Sequence, residues 1–252
     1  MRNLLVLLVL SFSIWGCGSS VDTSNFTAKQ RLDYAMKLYH DENYLDAVQE
    51  FQAIILQYPG NEVVEDAQYY LAEARFQRHE YILAAYEFSK LIKMMPASKF
   101  VPDSQFMLAE CYYKLSPDYR LEQKYTRKAI QEFQAFIDFF PTNEKVKEAE
   151  QKISEMNDKL AHKEYNTAQI YDIMEDYNAA LIYYTLVVED YHDTKYAPMA
   201  LYDKIKLLAS RNRNKEALEE ISKFLERYPD NTNINELKEL KTSLETKISS
   251  SK

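Results

Sequence analysis

The residues best suited to do chemistry in this 252-residue chain are its histidines, cysteines and paired carboxylates. The histidines lie in four separate stretches: His40, His79, His162 and His192. No two of them have the spacing with which one helix holds a metal ion, and Cys111 has no His or Asn beside it to activate a thiolate. Adjacent carboxylates such as Glu189 and Asp190 point apart on a helix. The sequence therefore predicts no catalytic residue, no metal site and no cofactor.

The overall composition excludes two further classes of function. The chain carries 39 acidic and 31 basic residues, a net charge of −8, and no basic stripe of the kind that binds nucleic acid. Beyond residue 18 its only glycine is Gly60. Glycine-rich phosphate loops and tight β-hairpins are therefore not expected. What remains is an excess of aromatic residues, 21 Tyr and 12 Phe, which suits the binding of apolar ligands.

A repeated pattern of alanine, bulky residue and proline predicts the elements that position these rings. Four segments share it: Ala47, Phe51, Pro59; Ala84, Phe88, Pro96; Ala129, Phe133, Pro141; and Ala217, Ile221, Pro229. A further segment, Ala180, Tyr184 and His192, keeps the spacing without the proline. With the apolar run before each alanine, the unit is a helical hairpin. It resembles the tetratricopeptide repeat, in which small residues lie where two helices cross and Pro ends the second helix.

The resemblance implies an all-α fold, a right-handed superhelical solenoid of five hairpins with a capping helix at the carboxyl end. The repeats are longer than usual at two places. Ser116, Pro117 and Asp118 predict an expanded loop in hairpin three. The segment 143–171 contains no Gly or Pro and predicts a long first helix in hairpin four. Residues 232–252 form the predicted capping helix and tail, with an apolar stripe at Leu237, Leu240, Leu244 and Ile248.

The amino terminus has the order of a secretory signal. Residues 1–16 contain one Arg and then an apolar run too short to span a bilayer. Gly16 and Cys17 resemble a bacterial lipobox, so we expect Cys17 to be acylated and residues 17–27 to form a short tether. Gly18 is similar to the sorting signal for the outer membrane. An ordinary secretory cleavage site nearby is the alternative. Cys111 would then be an unpaired core thiol.

In the tetratricopeptide family, three positions of the first helix of each hairpin meet ligand. In hairpins one to three, 28–142, they give an aromatic column: Tyr39, Tyr69, Phe76, Phe106 and Tyr113. Glu73 and Glu110 lie between the rings. An extended peptide with large apolar side chains fits such a groove. The alternative is that the rings pack against the next hairpin, as aromatic stripes at helical spacing commonly do.

A lipobox followed by five such hairpins resembles the BamD family (also called ComL or YfiO) of outer-membrane-protein assembly lipoproteins. The resemblance implies a non-enzymatic protein, lipid-anchored to the outer membrane on its periplasmic face, whose partners are a BamA-like barrel subunit, other Bam lipoproteins and unfolded outer-membrane-protein peptides. It places BamA docking on hairpins four and five, 143–231. Candidate docking residues there are Tyr177, Tyr183, Lys204, Lys206, Arg211 and Arg213.

A second interpretation remains open. The chain could be another tetratricopeptide lipoprotein scaffold, such as a pilotin-like factor that assembles a secretin or an adaptor of the cell envelope. Repeats of uniform length are common in such proteins, so the two insertions favour the first interpretation.

Overall fold

The computed structural model describes residues 22–250, and every regular element within that range is an α-helix. The first ten helices pair in chain order into five hairpins. These are α1 Ala28–His40 with α2 Tyr44–Gln57, α3 Val63–Gln77 with α4 Tyr81–Met94, α5 Val101–Leu115 with α6 Lys124–Phe139, α7 Val146–Ile173 with α8 Tyr177–Asp190, and α9 Tyr196–Ser210 with α10 Asn214–Arg227. Helix α11, Ile234–Ser250, follows them. The predicted all-α array of five hairpins is confirmed.

Each helix packs against the next one in the chain, and first helices also contact one another, α1 with α3 and α7 with α9. The first helices therefore share one side of the array, which we call the first-helix face. The predicted small residues lie where paired helices cross, and all five are fully buried: Ala47, Ala84, Ala129, Ala180 and Ala217. The bulky residues that follow them fill the core beside each crossing: Phe51, Phe88, Phe133, Tyr184 and Ile221.

Four of the five hairpins turn through a loop of the same conformation. Its middle residue has a positive φ: 59° at Glu42, 61° at His79, 61° at Glu175 and 56° at Asn212. The amide of the residue that follows donates to a carbonyl five residues earlier, as Asp176 does to Tyr171 at 3.0 Å. The loop thus satisfies an end-of-helix carbonyl, and its left-handed residue reverses the chain.

The second helices end where the proline pattern predicts. Tyr58, Met95, Phe140 and Tyr228 each leave the helix, with φ between −123° and −132°, directly before a proline. Proline pushes the residue before it out of the helical region and has no N–H to continue the ladder. Tyr191 adopts the same geometry before His192. The turn therefore forms without the proline in hairpin four.

Both predicted insertions are confirmed. Residues 116–123 form the expanded loop of hairpin three, and α7 runs for 28 residues. The two are joined: Lys159 Nζ donates to Ser116 Oγ at 2.8 Å, and Lys163 Nζ donates to the Leu121 carbonyl at 2.7 Å. The long helix therefore holds the long loop in place.

An aromatic stack completes this junction. The His162 ring lies 3.7 Å from Tyr119, which is in the loop, and 4.8 Å from Tyr196, which begins α9. Burial and the nearby Lys195 lower the pKa of His162. The stack therefore links hairpins three, four and five through a histidine that favours its neutral form.

The carboxyl end and the lone thiol also agree with the sequence predictions. Leu237 and Leu244 of α11 are buried against hairpin five, which confirms the capping helix. Cys111 is fully buried, and burial raises the pKa of its thiol, as expected of a core cysteine. The predicted signal peptide and Cys17 lie outside the described residues.

Within residues 22–250, no helix combines the length and the apolar character needed to cross a membrane.

Candidate functional site

The first-helix face of hairpins one and two carries partly exposed aromatic rings. Tyr39 packs edge-on against Tyr44 and Tyr70, with ring centres 5.5 and 5.4 Å away. Tyr69 stacks face to face on Phe100, at 4.4 Å and 9°. Both tyrosines keep part of their surface in solvent. The rings are therefore fixed by neighbouring rings and remain partly accessible to solvent.

Glu73 lies among these rings and has an unusual environment. Its Oε1 is buried without a hydrogen-bond partner among the described residues. Burial raises the pKa of Glu73 to about 7, with a smaller contribution from Asp103; a hydrogen bond from Tyr69 and the charge of Lys145 act in the opposite direction. The face therefore holds a carboxyl group that can take or lose a proton near neutral pH and has an unused acceptor.

Phe76 lies one turn beyond Glu73 on α3 and is also partly exposed. Its ring contacts Tyr81, the first residue of α4, edge-on at 5.2 Å. Together, Tyr39, Tyr69, Glu73 and Phe76 form a partly open patch on the first-helix face, which we call the aromatic patch.

The aromatic column is covered in hairpin three. Phe106 is only 4% exposed, and its ring packs edge-on against Phe133 and Phe136. Glu110 is buried and ion-paired with Lys152 of α7. Phe106 and Glu110 therefore belong to the packing between hairpin three and the long helix.

Tyr113 is the partly exposed end of the column, and α7 also holds it. Its hydroxyl donates to Glu155 Oε2 at 2.8 Å, and Lys152 Nζ lies 4.6 Å from its ring centre. The hydrogen bond with Glu155 is the main reason that the pKa of Tyr113 rises to about 12. The first part of α7 thus closes the column at hairpin three, so the open part of the face is the aromatic patch.

Four of the six candidate docking residues line two separate grooves, and the other two, Tyr177 and Tyr183, are placed by ring contacts. Lys206 and Arg211 line a groove between the two first helices of hairpins four and five, the α7–α9 groove. Arg211 stacks on the ring of Tyr177, and Tyr183 stacks on Tyr171 of α7 at 5.4 Å. Lys206 Nζ pairs with Glu236 Oε1 at 2.8 Å.

Exposed apolar residues lie beside Arg211 and Tyr177 and were missed by the sequence analysis. Ile173 is 82% exposed and Met174 68% exposed, at the end of α7. Ile170, one turn earlier, also lines the α7–α9 groove. A sequence signal could have identified them: these apolar residues continue the helix beyond the end of its buried stripe. Methionine, tyrosine and arginine are enriched at protein-binding surfaces, and the isoleucines add exposed apolar area beside them.

Lys204 and Arg213 lie elsewhere, in a groove between the second helices α8 and α10, the α8–α10 groove. Lys204 Nζ is 3.3 Å from Glu220 Oε1, and Arg213 Nε donates to Glu216 Oε1 at 2.7 Å. These cations are therefore neutralised within the chain and face a different direction from Arg211.

Polar bonds between paired helices recur in the hairpins. Gln68 Nε2 donates to the Glu87 carboxylate at 2.9 Å, and Gln105 Nε2 donates to the Glu132 carboxylate at 2.8 Å. Arg31 Nε makes the corresponding bond to Glu50 at 2.7 Å in hairpin one. These polar groups fix the pairing of the helices. They are not part of the aromatic patch or of either groove. Among residues 22–250, no cluster of His, Cys, Asp and Glu is suited to hold a metal ion.

These features define a class: an array of tetratricopeptide-type helical hairpins. Similar solved structures include a thermophilic tetratricopeptide repeat protein from Thermus thermophilus, 18% identical with a TM-score of 0.37 over 86% of this chain and 98% of that one. Another is the TPR2AB domain of yeast Sti1 in complex with pHSP90, 16% identical with a TM-score of 0.42 over 88% of this chain and 84% of that one.

The chain belongs to the YfiO family of outer membrane lipoproteins, whose model matches residues 25–212. A curated relative is the outer membrane protein assembly factor BamD of Rickettsia prowazekii (strain Madrid E). It is 27% identical over 231 residues, which cover 91% of this chain and 92% of the relative.

Proposed function

We propose that this chain is a non-enzymatic, outer-membrane lipoprotein of the β-barrel assembly machinery, which docks to a BamA-like subunit and holds unfolded outer-membrane-protein segments. The observation that carries this proposal is membership of the YfiO family together with near full-length similarity to a BamD protein. The two ends of the hairpin array would have separate tasks, with peptide binding in 28–142 and partner docking in 143–231.

The aromatic patch is the proposed peptide site. Tyr39 and Phe76 offer ring edges to apolar side chains, and their own packing contacts keep them ordered, so little entropy is lost on binding. Glu73 lies among these rings, and its buried Oε1 is not open to a ligand in this conformation. Phe106, Glu110 and Tyr113 are covered or held by α7, so their role is to support the patch by packing rather than to contact the peptide. An extended segment rich in aromatic residues is therefore the ligand that suits this patch.

The α7–α9 groove is the proposed docking site for the BamA-like subunit. Tyr177 and Arg211 are residue types common in binding hot spots, and the exposed Ile173 in the same groove as Arg211 adds apolar area. Lys206 extends the group, and Tyr183 supports it through Tyr171. Lys204 and Arg213, which face the α8–α10 groove, are less suited to the same partner.

Anchoring through Cys17 would hold the array at the inner leaflet of the outer membrane. Each buried acyl methylene contributes about 0.8 kcal/mol, so several chains make release negligible. Confinement raises the local concentration of both binding sites near the barrel subunit without any chemistry.

Affinity capture tests the proposal. The tagged full-length chain is isolated from detergent-solubilised envelopes, and co-purified proteins are identified by mass spectrometry. Recovery of a BamA-like barrel protein, and its loss with Arg211→Glu but not with Lys215→Glu, would support the proposal. Recovery of a secretin or a peptidoglycan factor in its place would contradict it.

A further inference from the structure

The α8–α10 groove has features that the proposed function does not explain. It lies between the second helices of hairpins four and five, encloses about 670 Å³, and has Leu208 of α9 among its lining residues. On one side, α8 contributes apolar residues at helical spacing: Leu181, Ile182 and Leu186. Ile182 is 65% exposed, and with Leu181 and Leu186 it forms a contiguous apolar wall of the groove.

The opposite wall and the end of the groove are acidic. Glu216, Glu219 and Glu220 of α10 face the groove, and Glu189 and Asp190 lie at the end of α8. Lys204 neutralises Glu220, and Arg213 neutralises Glu216. Among residues 22–250, Glu189, Asp190 and Glu219 have no ion-pair partner. The groove therefore has an apolar wall and three uncompensated negative charges.

The repeat itself does not require this arrangement. At the position of Glu219, hairpins one to four have Gln49, Tyr86, Gln131 and Ile182. At the position of Glu216, hairpins two to four have Leu83, Lys128 and Ala179. The fold thus forms in four hairpins without the carboxylate of Glu219. Among the grooves between neighbouring hairpins of residues 22–250, only this one has a carboxylate at this position, Glu219, opposite an exposed isoleucine, Ile182.

We propose that the α8–α10 groove binds a basic amphipathic helix of a partner protein. The lining residues of α8 extend from Asn178 to Asp190, about 18 Å at 1.5 Å per residue, which matches a helix of roughly three turns. The apolar stripe of the ligand packs on Leu181, Ile182 and Leu186. Its Lys and Arg side chains reach Glu219 and the pair at Glu189 and Asp190. This site is separate from the aromatic patch and the α7–α9 groove, and it does not depend on the proposed function.

The test uses the full-length chain in detergent micelles and a fluorescent synthetic helix of about 14 residues with a Leu stripe flanked by Lys. A peptide of the same composition in shuffled order controls for non-specific attraction. Fluorescence anisotropy measures the dissociation constant. Ile182→Ser should weaken binding about tenfold or more, and Glu219→Gln with Glu189→Gln about fivefold, with reduced salt dependence.

Matched variants outside the groove make the test specific. Leu56→Ser replaces an apolar residue that is 79% exposed on α2, and Glu226→Gln replaces an exposed carboxylate on the same helix as Glu219. Neither should change the dissociation constant. Equal binding of the shuffled peptide, or an unchanged constant with Ile182→Ser, overturns the proposal. A third outcome also overturns it: the chain binds no peptide but self-associates, and Ile182→Ser abolishes that self-association. The occupant of the groove would then be a second copy of the chain.

Discussion

The guanidinium carbon of Arg211 lies 3.3 Å from the ring centre of Tyr177. Tyr177 begins the second helix of hairpin four, and Arg211 lies in the turn of hairpin five, so this contact joins the turns of neighbouring hairpins. A cation over an aromatic ring contributes about 0.5–1 kcal/mol at an exposed position. The contact also holds the arginine in place beside Ile173, which lines the same groove.

Arg211→Glu should weaken docking of the BamA-like subunit while leaving the fold intact. It removes the planar cation that partner carboxylates would contact and introduces repulsion, so we expect binding to weaken at least about tenfold. Binding of purified proteins by biolayer interferometry measures the effect. Lys215→Glu, a charge reversal at an exposed site on α10, is the control. Equal loss with both variants would indicate a general effect of charge.

Phe76→Ala should weaken binding of an extended peptide that ends in an aromatic residue. Its ring edge is part of the aromatic patch, and truncation removes apolar contact area. The substitution also loses the contact with Tyr81, so some loss of stability is expected. Ile92→Ala is the matched control because Ile92 packs on the same core from α4, away from the patch. If both variants bind the peptide like the native chain, Phe76 serves packing only.

Glu73→Gln should remove a pH dependence of stability. The folded state raises the pKa of Glu73 to about 7, so the folded chain holds this proton more strongly than the unfolded chain does. The stabilisation is present below the ordinary pKa of a carboxyl group and is lost as pH rises through about 7. Between pH 5.5 and 8.5, native stability should therefore fall by about 2 kcal/mol relative to the variant.

Chemical denaturation at the two pH values measures this difference. Glu150→Gln, at an exposed position of α7, should retain the pH dependence of the native chain. The same pH profile in the native chain and in Glu73→Gln would mean that Glu73 stays ionised in the fold.

The sequence predicted the hairpins well because their determinants are local. Ala180 and Tyr184 fix a helix crossing within one hairpin, and Pro141 ends the helix that directly precedes it. The burial of Phe106 could not be predicted from local sequence, because it depends on contacts with the next hairpin, including Lys152 of α7. The separation of Lys204 from Lys206 was within reach of sequence reasoning, because residues two apart point to different sides of a helix.

Glu175→Asn should stabilise the chain. Glu175 is the middle residue of the turn in hairpin four and has a φ of 61°, a left-handed conformation that is unfavourable for glutamate. Hairpin five has Asn212 at the equivalent position with a φ of 56°, and asparagine tolerates this region better. The gain should be about 0.5–1 kcal/mol in the free energy of unfolding, measured by urea denaturation. The reciprocal substitution Asn212→Glu should lower stability by a similar amount, because the two turns share one backbone geometry. A loss of stability with Glu175→Asn, or no change with either substitution, would show that side-chain identity at this position does not control the turn.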